Sequence, residues 1–187
     1  MSHTRQLTDM IYAGLFAAFI AVMGWVAIPL PFSPVPITGQ SLAVMLAGSL
    51  LTVRQAAFSV LTVLLAGAVG APVLAGGSGG LGVVLGPRGG YLLGFLLGVI
   101  LIGMLKGSGQ KLWRLALANL AGGVLAVYLP GMLWLSVVTG MSLQQALVVG
   151  VLPYLPGDLG KVVVATAAGA AVARRLRTAR AGSPPTE

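Results

Sequence analysis

The chain has 187 residues, of which 57% are hydrophobic and only 7% are charged, and it carries a formal net charge of +8. So few charges exclude a soluble domain of this size, and the long uncharged stretches predict several transmembrane helices. The lack of cysteine and the position of the single histidine, His3, leave no thiolate or histidine metal ligand within the apolar stretches. The basic residues lie between apolar stretches, a distribution that argues against a nucleic-acid partner.

The first uncharged stretch, 10–53, is too long for a single membrane span. Four prolines fall between positions 29 and 36, and a helix cannot continue through them. We therefore predict two helices in this stretch with a loop at 29–39 between them. The second of these helices is short for a span, so it is expected to be tilted, broken or extended by its neighbours.

Glycine dominates the stretch 70–90, at a density that predicts irregular backbone instead of helix. The pattern is neither a dinucleotide fingerprint nor a P-loop, because no strand precedes it and it lacks the Gly-Lys-Ser/Thr ending. Irregular backbone at membrane depth is tolerated only where protein or a cavity shelters it. We therefore expect this segment to approach a neighbouring segment or a ligand closely.

The remaining boundaries come from charges and helix breakers. Lys106, Lys111 and Arg114 form a basic turn, and Pro130 with Gly131 disturbs the helix that follows. The predicted fold class is an all-α integral membrane protein in one domain, with six transmembrane helices at roughly 9–28, 40–53, 55–70, 91–105, 112–138 and 157–176. A short linking helix is possible at 142–151, and the tail 178–187 is expected to be disordered.

Asp158 is the only carboxylate in the body of the chain, because Asp9 and Glu187 lie near its two ends. Lys161 follows three residues later, and a helix that starts near Gly157 places both side chains on one face, one turn apart. An isolated Asp and Lys in apolar sequence are costly to bury and mark a site. Two readings remain open at this point: a self-neutralising ion pair and a pair that faces a polar ligand.

The basic residues also predict the topology. With six helices and both termini in the cytoplasm, nine of the eleven Lys and Arg residues face inward, and only Arg88 and Lys161 lie toward the outside. The proline-rich loop, the glycine-rich loop and the segment around Asp158 then share the outer side. This arrangement predicts a pocket open to the outside on which Arg88, Asp158 and Lys161 converge.

Four motifs resemble the BioY family, the biotin-binding S components of energy-coupling factor (ECF) transporters. They are Pro-Ile-Thr-Gly-Gln-Ser-Leu at 36–42, Ala-Gly-Ala-Val-Gly-Ala-Pro-Val at 66–73, Gly-Pro-Arg-Gly-Gly-Tyr-Leu at 86–92 and Leu-Pro-Gly-Asp-Leu-Gly-Lys at 155–161. The resemblance implies the six-helix S-component fold in the cytoplasmic membrane of a prokaryote, no enzymatic activity and no cofactor. It also implies capture of biotin from outside and partnership with a T component and a pair of ATP-binding subunits, the only subunits that use ATP.

The resemblance also assigns candidate ligand residues, with the loop between helices 1 and 2 closing over the ligand. The family motif Gly-Asp-x-x-Lys falls on Asp158 and Lys161, which suit the N–H and C=O groups of the biotin ureido ring. The biotin carboxylate needs a cation, either Arg88 or Lys161. The full set of candidate ligand residues is Gln40, Gly86, Arg88, Gly89, Gly90, Tyr91, Tyr154, Asp158 and Lys161.

Helix 1 carries small residues at Ala13, Ala17 and Ala21, spaced by four. Such a face either packs within the fold or lets another protein approach closely. S components are similar to one another in docking the T component with an Ala-x-x-x-Ala face, so the resemblance favours docking for these three residues.

Two other classes of function remain as alternatives. One is a stand-alone small-solute or proton-coupled carrier, with Asp158 as the titrating group. The other is a membrane enzyme with a Ser–Lys dyad, formed by Lys161 and one of Ser41, Ser136 and Ser142.

The predicted topology is testable by labelling, because the chain contains no native cysteine. Single cysteines at Ser33 and Ser78 should react with an impermeant thiol reagent in intact cells, whereas cysteines at Gly109 and Ser183 should react only after the membrane is broken. Labelling of position 109 or 183 in intact cells would contradict the model.

Overall fold

The computed structural model describes residues 3–107 and 111–181, and the side chains of residues 6–107 and 111–175. Most of the described chain is helical, in agreement with the predicted all-α class. The elements are α1 (His3–Trp25), β1 (Ala27–Leu30), β2 (Ser33–Thr38), α2 (Gln40–Leu50), α3 (Val53–Ala68), α4 (Leu81–Val84), α5 (Gly89–Leu105), α6 (Leu112–Leu120), a π-helical turn (Ala121–Leu125), α7 (Ala126–Thr139), α8 (Leu143–Gly150) and α9 (Leu155–Ala181).

The observed helices follow the six predicted ones, with shifts at their ends. The last helix continues to Ala181, beyond the predicted end at 176 and into the stretch predicted to be a disordered tail. Residues 170–181 are mostly Ala and Arg, which favour a helix, and no glycine or proline occurs between Gly169 and Gly182. Residues 182–187 lie outside the described residues.

The stretch predicted to be a loop is a β-hairpin. Strands β1 and β2 pair antiparallel, with Ala27 opposite Thr38 and Ile28 opposite Ile37, and the pairing is irregular between Ile28 and Leu30. Both strands of a two-stranded sheet are edge strands, so the prolines are tolerated there although they lack an N–H. Helix 1 ends at Trp25, three residues before the predicted end at 28, and the prolines do not prevent strand pairing.

The fifth predicted helix consists of α6, the π-helical turn and α7 in succession. The predicted disturbance at Pro130 takes a different form, because α7 runs through Pro130 while the irregular turn lies at Ala121–Leu125. In that turn the N–H of Ala126 bonds to the carbonyl of Ala121, five residues back. A π-helical turn of this kind changes which residues of the following helix face the interior.

Lys106 caps the C-terminal end of α2. Its ammonium donates to the carbonyl oxygens of Gly48 at 2.8 Å and Ser49 at 3.1 Å, and also to that of Leu51. The last carbonyl groups of a helix have no partner within the helix. One cation from the end of α5 therefore satisfies carbonyl groups at the end of α2, a helix of 11 residues.

The outer surface of this protein is apolar, unlike that of a soluble protein. Exposed positions carry many large apolar side chains, such as Leu15, Val137 and Val163, whereas Asn119, Asp158 and Thr166 are buried. Three helices in the described part of the chain are long and apolar enough to cross a membrane, at Gln6–Trp25, Leu112–Thr139 and Leu155–Arg175, and three shorter apolar helices lie at Gln40–Leu50, Val53–Ala68 and Gly89–Leu105. These six segments match the predicted spans in position, while the number of membrane crossings and the location of the termini stay predictions.

A buried polar chain links three helices on the side of the core away from the hairpin. The hydroxyl of Ser49 donates to Asn119 Oδ1 at 3.1 Å, and Asn119 Nδ2 donates to the hydroxyl of Thr166 at 3.2 Å. These residues belong to α2, α6 and α9. Hydrogen bonds between helices stabilise membrane proteins because apolar burial contributes little to helix association in lipid.

Gly90 marks the closest packing between α5 and α7. A Cβ at this position would lie 2.4 Å from the carbonyl oxygen of Pro130 and 2.3 Å from Cβ of Trp134. We expect Gly90→Ala to lower the free energy of unfolding by about 2 kcal/mol, because the backbone of α7 must move. Thermal melts in detergent measure this, and Gly14→Ala is the matched control, since a Cβ there meets no atom within 4 Å. Equal melting temperatures for the two variants would contradict this packing.

Candidate ligand-binding site

A pocket lies beneath the hairpin, between the beginnings of α2, α5 and α9. Its lining is mostly apolar, with a few polar groups, which is the usual character of a small-molecule site. The lining residues are Val35, Pro36, Ile37, Thr38, Gln40, Ser41, Leu74, Ala75, Val83, Arg88, Tyr91, Leu92, Phe95, Val127, Tyr128, Gly150, Tyr154, Asp158 and Lys161.

Asp158 and Lys161 lie together at the start of α9, as their spacing predicts. The distance between Lys161 Nζ and Asp158 Oδ1 is 2.7 Å, and the two side chains are 19% and 9% exposed, respectively. Asp158 belongs to the first turn of α9, where the helix dipole favours a negative charge. The two residues form an ion pair, and the pair also lines the pocket. The sequence left these two readings as alternatives, and the structure shows both.

The three protons of the Lys161 ammonium all have acceptors within the protein. They are directed to the carbonyl oxygen of Thr38 at 2.7 Å, the hydroxyl oxygen of Ser41 at 2.8 Å and Asp158 Oδ1 at 2.7 Å. An ammonium group has three donors and no acceptor. Lys161 is therefore fully engaged by β2, α2 and α9, and it has no proton left for a further partner in this arrangement.

The carboxylate of Asp158 accepts three hydrogen bonds. Oδ1 accepts from Lys161 and, at 3.1 Å, from the hydroxyl of Ser41. Oδ2 accepts from the hydroxyl of Tyr128 at 2.5 Å. Because a carboxylate has about four lone-pair positions, one position remains free, and it is on Oδ2.

Gln40 presents an unpaired acceptor at the pocket wall. Its side chain is 1% exposed, and Nε2 donates to the carbonyl oxygens of Val73 at 2.9 Å and Ile20 at 3.4 Å. These two bonds fix the orientation of the amide. Among the described residues, Gln40 Oε1 is the one buried side-chain nitrogen or oxygen without a hydrogen-bond partner. An unpaired buried acceptor is costly, and at a pocket wall it marks a place for a ligand donor.

Arg88 lies at the rim, where it joins the hairpin to the glycine-rich segment. Nε donates to the carbonyl oxygen of Pro34 at 3.0 Å, and Nη1 donates to that of Ala75 at 3.3 Å and to the hydroxyl of Ser78 at 3.5 Å. A guanidinium has five N–H donors, and Nη2 has no partner among the described residues. Arg88 is thus a pocket cation with donors to spare, unlike Lys161.

Two tyrosines predicted for the site have structural partners as well as a place in the pocket wall. The hydroxyl of Tyr91 donates to the carbonyl oxygen of Gly150 at 2.9 Å. The hydroxyl of Tyr154 bonds to the hydroxyl of Ser33 at 2.7 Å and to the carbonyl oxygen of Val35. Tyr154 therefore fastens the hairpin to the start of α9 and helps to close the pocket.

The three glycines predicted to contact the ligand do not line the pocket. A Cβ on Gly86, Gly89 or Gly90 would lie within 2.5 Å of a backbone oxygen, respectively that of Gly82, Val84 and Pro130. The Gly86 carbonyl also accepts from the indole N–H of Trp134 at 2.9 Å. In this structure these glycines allow close backbone packing that places Arg88 and Tyr91, and they do not themselves face the cavity.

The small residues of α1 pack within the fold in this structure, while docking of a partner at them stays a prediction. Ala13 and Ala17 are buried, 7% and 6% exposed, and Ala17 belongs to the apolar core together with Ile20 and Val60. Ala21 is half-buried. Because the stripe at 13 and 17 faces the protein interior, it is a packing face in this conformation, which was the alternative explanation of the same spacing.

Sequence reasoning missed two hydroxyl groups that complete the site, those of Ser41 and Tyr128. Ser41 lies within a motif, and the sequence suggests for it only a place in a Ser–Lys dyad. The structure does bring Ser41 next to Lys161, but Lys161 is also paired with Asp158 and bonded to Thr38, an arrangement that does not suit a Ser–Lys dyad. Tyr128 lies in an uncharged stretch, where a buried tyrosine hydroxyl needs a partner. The need of this buried hydroxyl for a partner is the feature from which the sequence could have identified Tyr128.

Helices with apolar outer surfaces around a mostly apolar pocket that holds a few buried polar groups define a multi-pass membrane protein with a small-molecule site. The model of the BioY family matches residues 1–178. The chain belongs to the BioY family.

Several known proteins are similar over most of this length. The biotin transporter BioY of Rhizobium etli is 41% identical over 173 residues, which cover 88% of this chain and 92% of that protein. The biotin transporter BioY of Thermotoga maritima is 38% identical over 172 residues, covering 91% and 96%. A crystal structure of the S-component for biotin from an ECF-type ABC transporter matches with a TM-score of 0.84 and 33% identity, covering 95% of each chain.

Proposed function

We propose that this chain is the membrane subunit that captures biotin from outside for ECF-type uptake. The observation that carries the proposal is the pocket itself, which offers the unpaired Gln40 Oε1 and a free lone pair of Asp158 Oδ2 at depth and a cation with free donors at its rim. Biotin has the complementary groups, two ureido N–H donors at one end and a carboxylate at the other. The relatives named as biotin transporters and the matching S-component support the same ligand.

The ureido ring belongs at the deep end of the pocket. The free lone pair of Asp158 Oδ2 accepts one ring N–H, and the unpaired Gln40 Oε1 accepts the other. The apolar remainder of the ligand then lies against Tyr91, Leu74 and other apolar lining residues. Lys161 acts on the ligand indirectly, because it holds Asp158 and Ser41 in place.

The carboxylate of the ligand belongs at Arg88. The sequence left Arg88 and Lys161 as alternatives, and the hydrogen bonds favour Arg88 because only its donors are not all used. This assignment also places the flexible acid chain of biotin below the hairpin, near the pocket rim.

Uptake requires partners, which for this chain are a T component and a pair of ATP-binding subunits, as in the ECF-type transporter whose S-component it matches. ATP is then used only by the partners. The chain resides in the cytoplasmic membrane of a prokaryote with the pocket toward the outside, the orientation that places nine of its eleven basic residues in the cytoplasm. No observation favours a stand-alone carrier or an enzyme.

The primary test is calorimetric titration of the purified protein with biotin. Asp158→Ala should lower the affinity by ~30- to ~1000-fold, because a ring N–H is left without an acceptor in a dry site. Asp158→Asn should fall between wild type and Ala, since it retains an acceptor oxygen. Asp9→Asn is the control, as Asp9 accepts from Gln55 at 2.7 Å and lies outside the pocket. A folded Asp158→Ala protein with wild-type affinity would rule out this role.

The position of the carboxylate is tested separately with Arg88→Met and two ligands, biotin and its uncharged methyl ester. We expect about a 10-fold loss of affinity for biotin and about a 2-fold change for the ester, since only the acid forms a charge-assisted bond with Arg88. Arg88 also joins two loops, and a purely structural loss would weaken both ligands equally. Equal losses would therefore contradict the assignment.

A further inference from the structure

Tyr128 controls the one oxygen of Asp158 that has a free acceptor position. Oδ1 already accepts from Lys161 and Ser41, so it is fully used. Oδ2 accepts from Tyr128 at 2.5 Å, and its second lone pair is the free one. The terminal torsion of an aspartate is soft, so the direction of that lone pair depends on the donors that hold the carboxylate.

The surroundings of Tyr128 hold its hydroxyl in place. Its side chain is 8% exposed, and its ring packs edge to face on Tyr91, with ring centres 6.5 Å apart and an interplanar angle of 83°. The hydroxyl of Tyr91 is in turn fixed by the carbonyl of Gly150. Tyr128 also follows the π-helical turn Ala121–Leu125 by three residues. That turn sets which residues of α7 face the pocket.

We propose that Tyr128 is a positioning residue for ligand recognition. By donating to Asp158 Oδ2, its hydroxyl turns the remaining lone pair of that oxygen toward the ring N–H of the ligand. The inference rests on the proposed function, because it takes the ligand to be biotin, and it adds to the recognition of the ureido ring by Asp158 a supporting residue that lies outside the four motifs. Ser41 and Lys161 fix the other oxygen, so the carboxylate is held at both ends.

The test is a double-mutant cycle measured by calorimetric titration with biotin. Tyr128→Phe keeps the ring and removes only the hydroxyl, and we expect an affinity loss of about 10-fold, the effect of one hydrogen bond. In an Asp158→Ala background the same change should alter the affinity by less than about 2-fold, because the group it positions is gone. Asp158→Leu, which also removes both oxygens, serves as a second background in case the Ala variant does not fold.

Thr166→Val is the matched control. It removes another buried hydroxyl, which accepts from Asn119 at 3.2 Å and lies outside the pocket. We expect it to lower the melting temperature without reducing the affinity for biotin, so that lost stability and lost positioning are separated.

Each outcome decides between the proposals. An affinity of Tyr128→Phe equal to that of wild type, or an equal loss in the wild-type and Asp158 backgrounds, overturns the positioning role and leaves the proposed function intact. A wild-type protein that does not bind biotin overturns the proposed function and this inference with it.

Discussion

The arrangement of this protein depends on keeping one ion pair in apolar surroundings. Transfer of a carboxylate and an ammonium out of water costs several kcal/mol per ion, and a direct contact offsets this only when further hydrogen bonds complete the site. Asp158 and Lys161 obtain those bonds from Thr38, Ser41 and Tyr128. The three partners belong to β2, α2 and α7, so the same bonds that stabilise the charges also draw four elements around one cavity.

A second polar contact repeats this arrangement farther along the same two helices. Ser49 lies eight residues after Ser41 on α2, and Thr166 lies eight residues after Asp158 on α9. Asn119 bridges Ser49 and Thr166, while Ser41 and Asp158 bond directly. Two such contacts, about two helical turns apart, fix the register of α2 against α9. In lipid, where apolar burial gives little preference for one register, the hydrogen bonds decide it.

The sequence predicts the parts of this structure that depend on rare residues. Charges and prolines locate the helices, and an isolated Asp and Lys three residues apart locate the centre of the site. Prediction from the sequence fails where a common residue type can serve several structural purposes. The stripe of small residues at Ala13 and Ala17 is compatible with packing on either side of α1, and only the folded chain shows that it faces inward. Glycines predict a close approach of the backbone but do not identify the neighbouring segment. Prolines end a helix, but they do not exclude a hairpin.

The unpaired oxygen of Gln40 shows how stability and recognition oppose each other in this pocket. A buried acceptor without a partner costs about 1–3 kcal/mol, and a side chain free to turn would avoid that cost. Gln40 is not free, because the carbonyl groups of Val73 and Ile20 hold its amide nitrogen, and a Cβ on Gly24 would lie 2.7 Å from that nitrogen. The fold therefore keeps an acceptor oriented in advance, and a ligand N–H that reaches it removes the penalty on binding. A ligand without that N–H leaves the penalty in place, so the same oxygen that weakens the empty protein contributes to its selectivity.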